Sequence, residues 1–121
     1  GLVELVESGK VADPEAEDLL HQYLDPLLER QVDTIVLGCT HYPFLRPLIQ
    51  KIAGPKVLIL DTGAAVARQT RRVLEQKGIR NLGGTPGIDR FYTSGEPAEV
   101  AKVVKLLWKS GQEIVVRKAA V

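Results

Sequence analysis

Residues 32–47, VDTIVLGCTHYPFLRP, place the only cysteine of the chain beside a threonine and a histidine. Cys39 follows an apolar run that ends at Gly38, and Thr40 and His41 come directly after it. A cysteine becomes reactive when backbone N–H groups or a cationic neighbour lower its pKa. His41 could exchange protons with this thiol, and Thr40 could cap a following helix or hold a substrate carboxylate. The stretch therefore predicts a reactive thiol at Cys39.

The elements around Cys39 predict a parallel α/β fold with the thiol at the carboxyl end of a strand. Open parallel sheets bind ligands at that edge, where N–H groups and a helix N-terminus favour a negative charge. Pro26 is expected to kink or end the first helix. Apolar periodicity, caps and breakers predict helices at 13–30, 43–53, 63–77 and from 96, alternating with strands at 32–38, 56–60, 89–93 and 113–117.

Composition excludes several classes of protein. The chain has 121 residues, about the size of one domain, and 45% of them are apolar. A net charge of +1 provides no field for nucleic acid or an anionic membrane. A single cysteine cannot form an internal disulfide, and we expect neither a signal peptide at the start nor a membrane-spanning segment. The absence of methionine indicates that Gly1 is not the natural start.

Two other interpretations of Cys39 remain open at this level. A lone cysteine is often a small buried apolar residue, so the chain could be a non-catalytic α/β binding module. Cys39 could also be the nucleophile of a thiol-dependent hydrolase, with His41 as its base. Two residues this close on one loop are not expected to reach the geometry of such a pair. Slow reaction of the folded thiol at neutral pH would favour the buried cysteine.

The block GCTHYP, residues 38–43, resembles the second cysteine motif of glutamate racemases. The resemblance extends over essentially the whole chain and corresponds to the C-terminal half of the family only. Four further segments are similar to family segments: LVELVESG at 2–9, YLDPLL at 23–28, DTGAAVARQTRRVL at 61–74 and RFYTSGEP at 90–97.

This resemblance implies an acid/base mechanism with two cysteines. Glutamate racemases interconvert L- and D-glutamate without cofactor or metal, and D-glutamate is used in peptidoglycan. One cysteine removes the α-proton, and the other returns a proton from the opposite face. By resemblance, Cys39 is one of these groups, His41 assists it, Thr40 and His41 bind substrate, and Glu7 is the family's acidic residue.

The resemblance also implies what the chain lacks. The family's other cysteine has no counterpart here, so we expect the isolated chain not to racemise glutamate. The family fold has two pseudo-symmetric α/β domains, which predicts that residues 1–60 belong to one and residues 61–121 to the other. The full-length enzyme is expected to be a cytoplasmic bacterial homodimer that binds glutamate and supports the cell wall and cell shape. The nearest alternative is an aspartate or hydantoin racemase of the same superfamily, although Tyr42 and Pro43 favour glutamate.

Overall fold

The computed structural model describes residues 1–84, 87–108 and 113–120. Within these ranges the chain forms two parallel two-stranded sheets with helices between the strands. The first part of the chain contains α1 (Leu2–Glu7), α2 (Pro14–Leu28), β1 (Thr34–Leu37), a 3-10 helix (Tyr42–Leu45), α3 (Arg46–Ala53) and β2 (Leu58–Asp61). The second part contains α4 (Gly63–Gln76), β3 (Phe91–Thr93), α5 (Pro97–Leu107) and β4 (Val116–Lys118).

Strand β1 pairs in parallel with β2, and the register places Leu37 beside Asp61 at the carboxyl edge. Alternate residues of a strand point to opposite faces of the sheet, so each strand has one set of buried side chains and one set of exposed side chains. Ile35, Leu37 and Ile59 occupy the face that is covered by helices. The predicted parallel α/β class is confirmed, and this sheet carries the loop that contains Cys39.

One apolar core packs α1, α2 and α3 against that face of the β1–β2 sheet. Burying a leucine or isoleucine side chain contributes about 1.5–3 kcal/mol, so the cluster dominates the stability of this region. Leu45, at the end of the 3-10 helix, is fully buried and fixes that helix against the sheet. The cluster consists of Leu2, Val6, Leu20, Leu24, Leu37, Leu45, Ile49, Val57 and Ile59.

Helix α2 begins as the sequence predicts, with Asp13 at the N-cap and Pro14 in the first position. Pro26 was expected to kink or end the helix; an end at Pro26 is wrong, because α2 continues to Leu28, and the kink stays a prediction. A proline removes one backbone N–H donor, and in the last turn of a helix this loss affects only a single hydrogen bond. The chain then leaves the helix through Gln31, whose φ is 57°.

Two short elements beside Cys39 differ from the sequence prediction. The helix predicted at 43–53 begins as the 3-10 helix and becomes regular α-helix only at Arg46. Its predicted stop is confirmed, since Gly54 has a φ of 78° that other residues rarely adopt. Helix α1 has six residues and was not predicted from the sequence at all. Its length gives too little periodicity for recognition, although it contributes buried side chains to the core.

The second sheet, β3–β4, is also parallel and packs against α5. Trp108 directly follows that helix and contacts Phe91 edge-on, with ring centroids 5.6 Å apart. Residues 85–86, 109–112 and 121 lie outside the described residues. None of the helices in the described ranges combines the length and the apolar character that crossing a bilayer requires.

Candidate active site

Cys39 lies at the carboxyl end of β1, as the sequence predicts. The strand ends at Leu37, Gly38 follows, and the chain enters the 3-10 helix at Tyr42. The Tyr42 backbone N–H donates to the Cys39 carbonyl at 3.3 Å, which closes the turn around the thiol. The Cys39 side chain is half-buried and reduced, rather than enclosed in the core. This exposure contradicts the alternative in which the cysteine is a buried core residue.

The turn brings His41 back onto the thiol. Cys39 Sγ lies 3.7 Å from His41 Nδ1, within hydrogen-bonding reach for sulfur. The expectation that two residues so close in the chain would not reach this geometry is therefore wrong. After β1 the chain turns tightly into the 3-10 helix, which has His41 as its N-cap. This turn brings the side chains of Cys39 and His41 to the same side.

The second ring nitrogen of His41 faces Glu7. His41 Nε2 lies 3.3 Å from Glu7 Oε1, although Glu7 is the last residue of a helix far upstream in the chain. Helix α1 packs on the 3-10 helix, and the almost fully buried Val6 fixes the end of α1 that carries Glu7. Cys39, His41 and Glu7 thus form one continuous line of contacts, which we call the Cys–His–Glu relay.

The relay favours separated charges. The pKa of Cys39 is lowered, first by the His41 backbone N–H and then by the His41 ring, against the opposing effect of partial burial. The backbone N–H of Tyr42 adds to this lowering. The pKa of His41 is raised, first by its hydrogen bond with Cys39, and Glu7 adds to the rise. A thiolate beside an imidazolium is therefore stabilised, with one ring N–H facing sulfur and the other facing the Glu7 carboxylate.

Thr40, the fourth residue that the sequence singled out, has an exposed side chain. His41, and not Thr40, is the N-cap of the 3-10 helix, and no side-chain capping bond forms there. The capping role considered for Thr40 is therefore wrong, which leaves its hydroxyl free for a ligand. A groove of about 730 Å³ lies beside His41 and Glu7, with apolar side chains of α5 on its other side.

A salt bridge that the sequence did not indicate connects α3 to the carboxyl end of β2. Arg46, at the start of α3, contacts the Asp61 carboxylate at 2.6 Å. Asp61 ends β2, and its carboxylate also accepts the backbone N–H of Gly63 at 3.1 Å, at the start of α4. Nothing local to Asp61 in the sequence points to an arginine 15 positions upstream.

Comparison with known proteins identifies the family. No family model matches the sequence. A glutamate racemase of Herpetosiphon aurantiacus is 51% identical over 107 residues, which are 88% of this chain and 42% of that protein. The crystal structure of glutamate racemase RacE1 of Bacillus anthracis aligns with 99% of this chain, with a TM-score of 0.82 and 29% identity. The chain belongs to the glutamate racemase family.

This membership confirms the resemblance carried by GCTHYP. The chain spans about two fifths of the length of the glutamate racemases that it matches. A further glutamate racemase structure, from Francisella tularensis in complex with D-glutamate, covers 99% of the chain with a TM-score of 0.74 and 25% identity. The GCTHYP turn and the Cys–His–Glu relay thus lie within the part of the chain that aligns with racemase structures.

The relay predicts a measurable shift in thiol reactivity when His41 is removed. Alkylation by iodoacetamide follows the thiolate fraction, so a lowered pKa moves the half-maximal rate to a pH below the usual value of about 8.5. In His41→Ala the sulfur loses the imidazolium, and the midpoint of the rate–pH profile is expected to rise toward that value. His21→Ala is the matched control, because His21 is exposed, pairs with Asp25 and stands outside the relay. Equal midpoints for His41→Ala and the parent chain would contradict the relay.

Proposed function

We propose that this chain supplies one of the two acid/base sites of a glutamate racemase, with Cys39 as the group that acts on one face of the substrate. The contact of Cys39 Sγ with His41 Nδ1 at 3.7 Å carries the proposal, because it gives the thiol a partner that holds it ionised. Family membership supports glutamate as the substrate, and the related Francisella enzyme was crystallised with D-glutamate.

The chemistry is a proton transfer. The Cys39 thiolate takes the α-proton of glutamate, so that the Cα–H bond breaks, an S–H bond forms and the electron pair stays on the α-carbon. His41 keeps its proton and stabilises the thiolate before the transfer, while Glu7 stabilises the His41 imidazolium. In the reverse direction the Cys39 thiol returns the proton to the same face.

Inversion requires a second acid/base group on the opposite face of the α-carbon. Such a group must stand across the substrate, and Cys39 is the only thiol in residues 1–121. In this proposal, the second acid/base group comes from the part of a glutamate racemase that this chain does not span. Neither cofactor nor metal takes part.

Thr40 completes the site by binding the substrate. Its exposed hydroxyl lies next to the thiol in the chain and has no capping bond to satisfy it. A hydroxyl or backbone N–H at that place suits a substrate carboxylate, which would hold the α-carbon near Sγ. His41 lines the adjacent groove and contributes to binding as well.

The proposal includes the wider role implied by the family. The product, D-glutamate, is used in peptidoglycan, so the enzyme acts in the bacterial cytoplasm and supports the cell wall and cell shape. The full-length enzyme works as a homodimer of two-domain subunits, in which residues 1–60 belong to one domain and residues 61–121 to the other. A small molecule, rather than nucleic acid or a membrane, is its partner.

The proposal is tested in a chimera that provides both faces of the site. Residues 1–121 replace the homologous segment of the Herpetosiphon glutamate racemase, which is 51% identical to this chain over 107 residues. Circular dichroism then follows the conversion of L-glutamate to D-glutamate. We expect the chimera to racemise glutamate, and aspartate and hydantoins to be poor substrates. A folded chimera that turns over aspartate or a hydantoin in preference would overturn the choice of substrate.

A second prediction concerns racemisation by residues 1–121 without the rest of a racemase. A single acid/base group reaches only one face of the α-carbon, so purified residues 1–121 are expected to produce no sustained change in the circular dichroism of L-glutamate. The chimera at the same concentration is the positive control. Sustained turnover by the isolated chain, lost in Cys39→Ser, would contradict the two-group mechanism.

A further inference from the structure

The turn that carries Cys39 has no buried residue of its own. In residues 38–44, which we call the cysteine turn, every residue is exposed or half-buried. A Cβ added at Gly38 would meet no atom within 4 Å, so the entry to the turn borders open space. The flanking residues, Leu37 and Leu45, are both buried in the core. The location of the cysteine turn therefore depends on how its two ends are held.

One salt bridge joins the two ends of the cysteine turn. Asp61 is the register partner of Leu37, so it lies beside the strand residue that precedes the turn. Arg46 directly follows Leu45 and begins α3, on the far side of the turn. Because Arg46 Nη1 lies 2.6 Å from Asp61 Oδ2, the exit of the turn is tied to the strand next to its entry.

The Asp61 carboxylate is itself held in one orientation. Its Oδ1 accepts the backbone N–H of Gly63 at 3.1 Å, and its Oδ2 faces Arg46. Hydrogen bonds between charged partners are stronger than neutral ones, and partial shielding from water strengthens them further. The Asp61 side chain is only 23% exposed and that of Arg46 is 42% exposed. The pair is therefore a partly shielded, oriented contact rather than a fully solvated one.

The hydrogen bonds inside the cysteine turn fix its shape and not its place. The Tyr42 backbone N–H donates to the Cys39 carbonyl at 3.3 Å, and the Phe44 N–H donates to the His41 carbonyl at 3.1 Å. Both bonds stay within the turn and move with it as a unit. The contact of His41 Nε2 with Glu7 Oε1 at 3.3 Å, by contrast, requires the turn to stand at one place relative to α1.

We infer that Arg46 and Asp61 are positioning residues, whose salt bridge holds the cysteine turn where Cys39 and His41 can carry out the proton transfer. Neither side chain acts on the substrate in this account, since both act through the turn. The inference rests on the proposed function for its effect on racemisation. A misplacement of about 1 Å costs up to about 100-fold in rate, so loss of a contact that sets the position of the turn is measurable.

The first test measures the alkylation of Cys39 by iodoacetamide against pH, in the chain where Cys39 is the only thiol. Arg46→Gln and Asp61→Asn each remove one charge of the pair, and the asparagine keeps an oxygen for the Gly63 N–H. The pKa of Cys39 is lowered first by the His41 backbone N–H and then by the His41 ring. A displaced turn weakens these bonds, so each variant is expected to raise the midpoint by about half a pH unit.

The direction of the shift separates positioning from a direct effect of charge. Removing a cation near a thiolate raises the thiol pKa, whereas removing an anion lowers it. A direct effect would therefore move Arg46→Gln and Asp61→Asn in opposite directions, whereas lost positioning raises the midpoint in both. The double variant is expected to shift no further than either single variant, because all three break the same contact. Arg46→Lys keeps the cation and is expected to restore most of the parent midpoint.

Lys51→Gln is the matched control. Lys51 lies on the same helix, α3, and contacts Glu17 at 2.6 Å, so its loss breaks an ion pair of the same length between α3 and α2. This variant is expected to keep the parent alkylation profile. Far-ultraviolet circular dichroism and urea titration verify that each variant is folded at the temperature of the assay.

The second test measures racemisation in the chimera. Arg46→Gln is expected to lower kcat about tenfold, since the acid/base group is misplaced in the transition state, and to leave KM within about twofold. Lys51→Gln is expected to leave both constants unchanged.

Unchanged midpoints in Arg46→Gln and Asp61→Asn overturn the inference, and so do shifts in opposite directions. An equal shift in Lys51→Gln also overturns it, because any loosening of α3 would then suffice. Midpoints that rise in both variants while kcat stays at the parent value support the positioning of the turn and count against Cys39 as the acid/base group. The alkylation profile thus tests the salt bridge independently of the proposed function.

Discussion

Cys39→Ser is expected to lower the racemisation rate of the chimera about 1,000-fold, which is the loss that follows removal of a positioned acid/base group. The substitution replaces the reacting sulfur atom with oxygen and leaves the shape of the side chain almost unchanged. A serine hydroxyl stays protonated near neutral pH, so the N–H groups of His41 and Tyr42, which lower the thiol pKa, have no anion to stabilise. The rate is measured by circular dichroism from both enantiomers, since inversion in either direction uses both faces.

Substitutions along the relay separate chemistry from structure. Glu7→Gln keeps the shape of Glu7 but removes the charge beside the His41 imidazolium, and we expect an intermediate loss of about tenfold. Glu4→Gln is the matched control on the same helix, because Glu4 is exposed and stands outside the relay. A Cys39→Ser chimera that racemises glutamate within a few-fold of the parent would remove Cys39 from the mechanism. Equal losses of racemisation rate in Glu7→Gln and Glu4→Gln would show that Glu7 takes no specific part in the mechanism.

The sequence predicted the local part of this site well. Cys39 at a strand end, and a turn with available N–H groups after it, follow from an apolar run, a glycine and a proline within a few residues. The stop at Gly54 follows in the same way from a local signal. These features depend on interactions between near neighbours in the chain, which a single sequence displays directly.

Contacts between distant segments could not be predicted from residue pattern. Glu7 reaches His41 only because α1 packs on the 3-10 helix, and six residues give no periodic signal for that helix. Only the resemblance to a family indicated Glu7. The Arg46–Asp61 pair is likewise a product of packing, since both side chains have ordinary local explanations, at the start of α3 and before α4. Tertiary packing, rather than local preference, brings these groups to the thiol.

Leu45→Ala is expected to destabilise the chain strongly while leaving the relay residues in place. Leu45 is fully buried, with an exposed fraction of 0%, and it packs in the cluster that joins the helices to β1 and β2. Truncating a buried leucine removes apolar contact and leaves a cavity, which costs about 2–5 kcal/mol of unfolding free energy. Urea titration followed by circular dichroism measures this as a lower midpoint with little change in slope.

Leu45 also links that stability to the chemistry of the site. It ends the 3-10 helix whose first turn directs the His41 and Tyr42 N–H groups at sulfur, so a looser anchor weakens those hydrogen bonds. The midpoint of Cys39 alkylation is therefore expected to rise in Leu45→Ala even where the variant is folded. Leu82→Ala, a change of the same side chain at an exposed loop position, should stay within about 0.5 kcal/mol and leave the alkylation profile unchanged. If Leu45→Ala lowered stability but left the thiol profile unchanged, the turn would hold its geometry without the core, and Leu45 would be a structural residue alone.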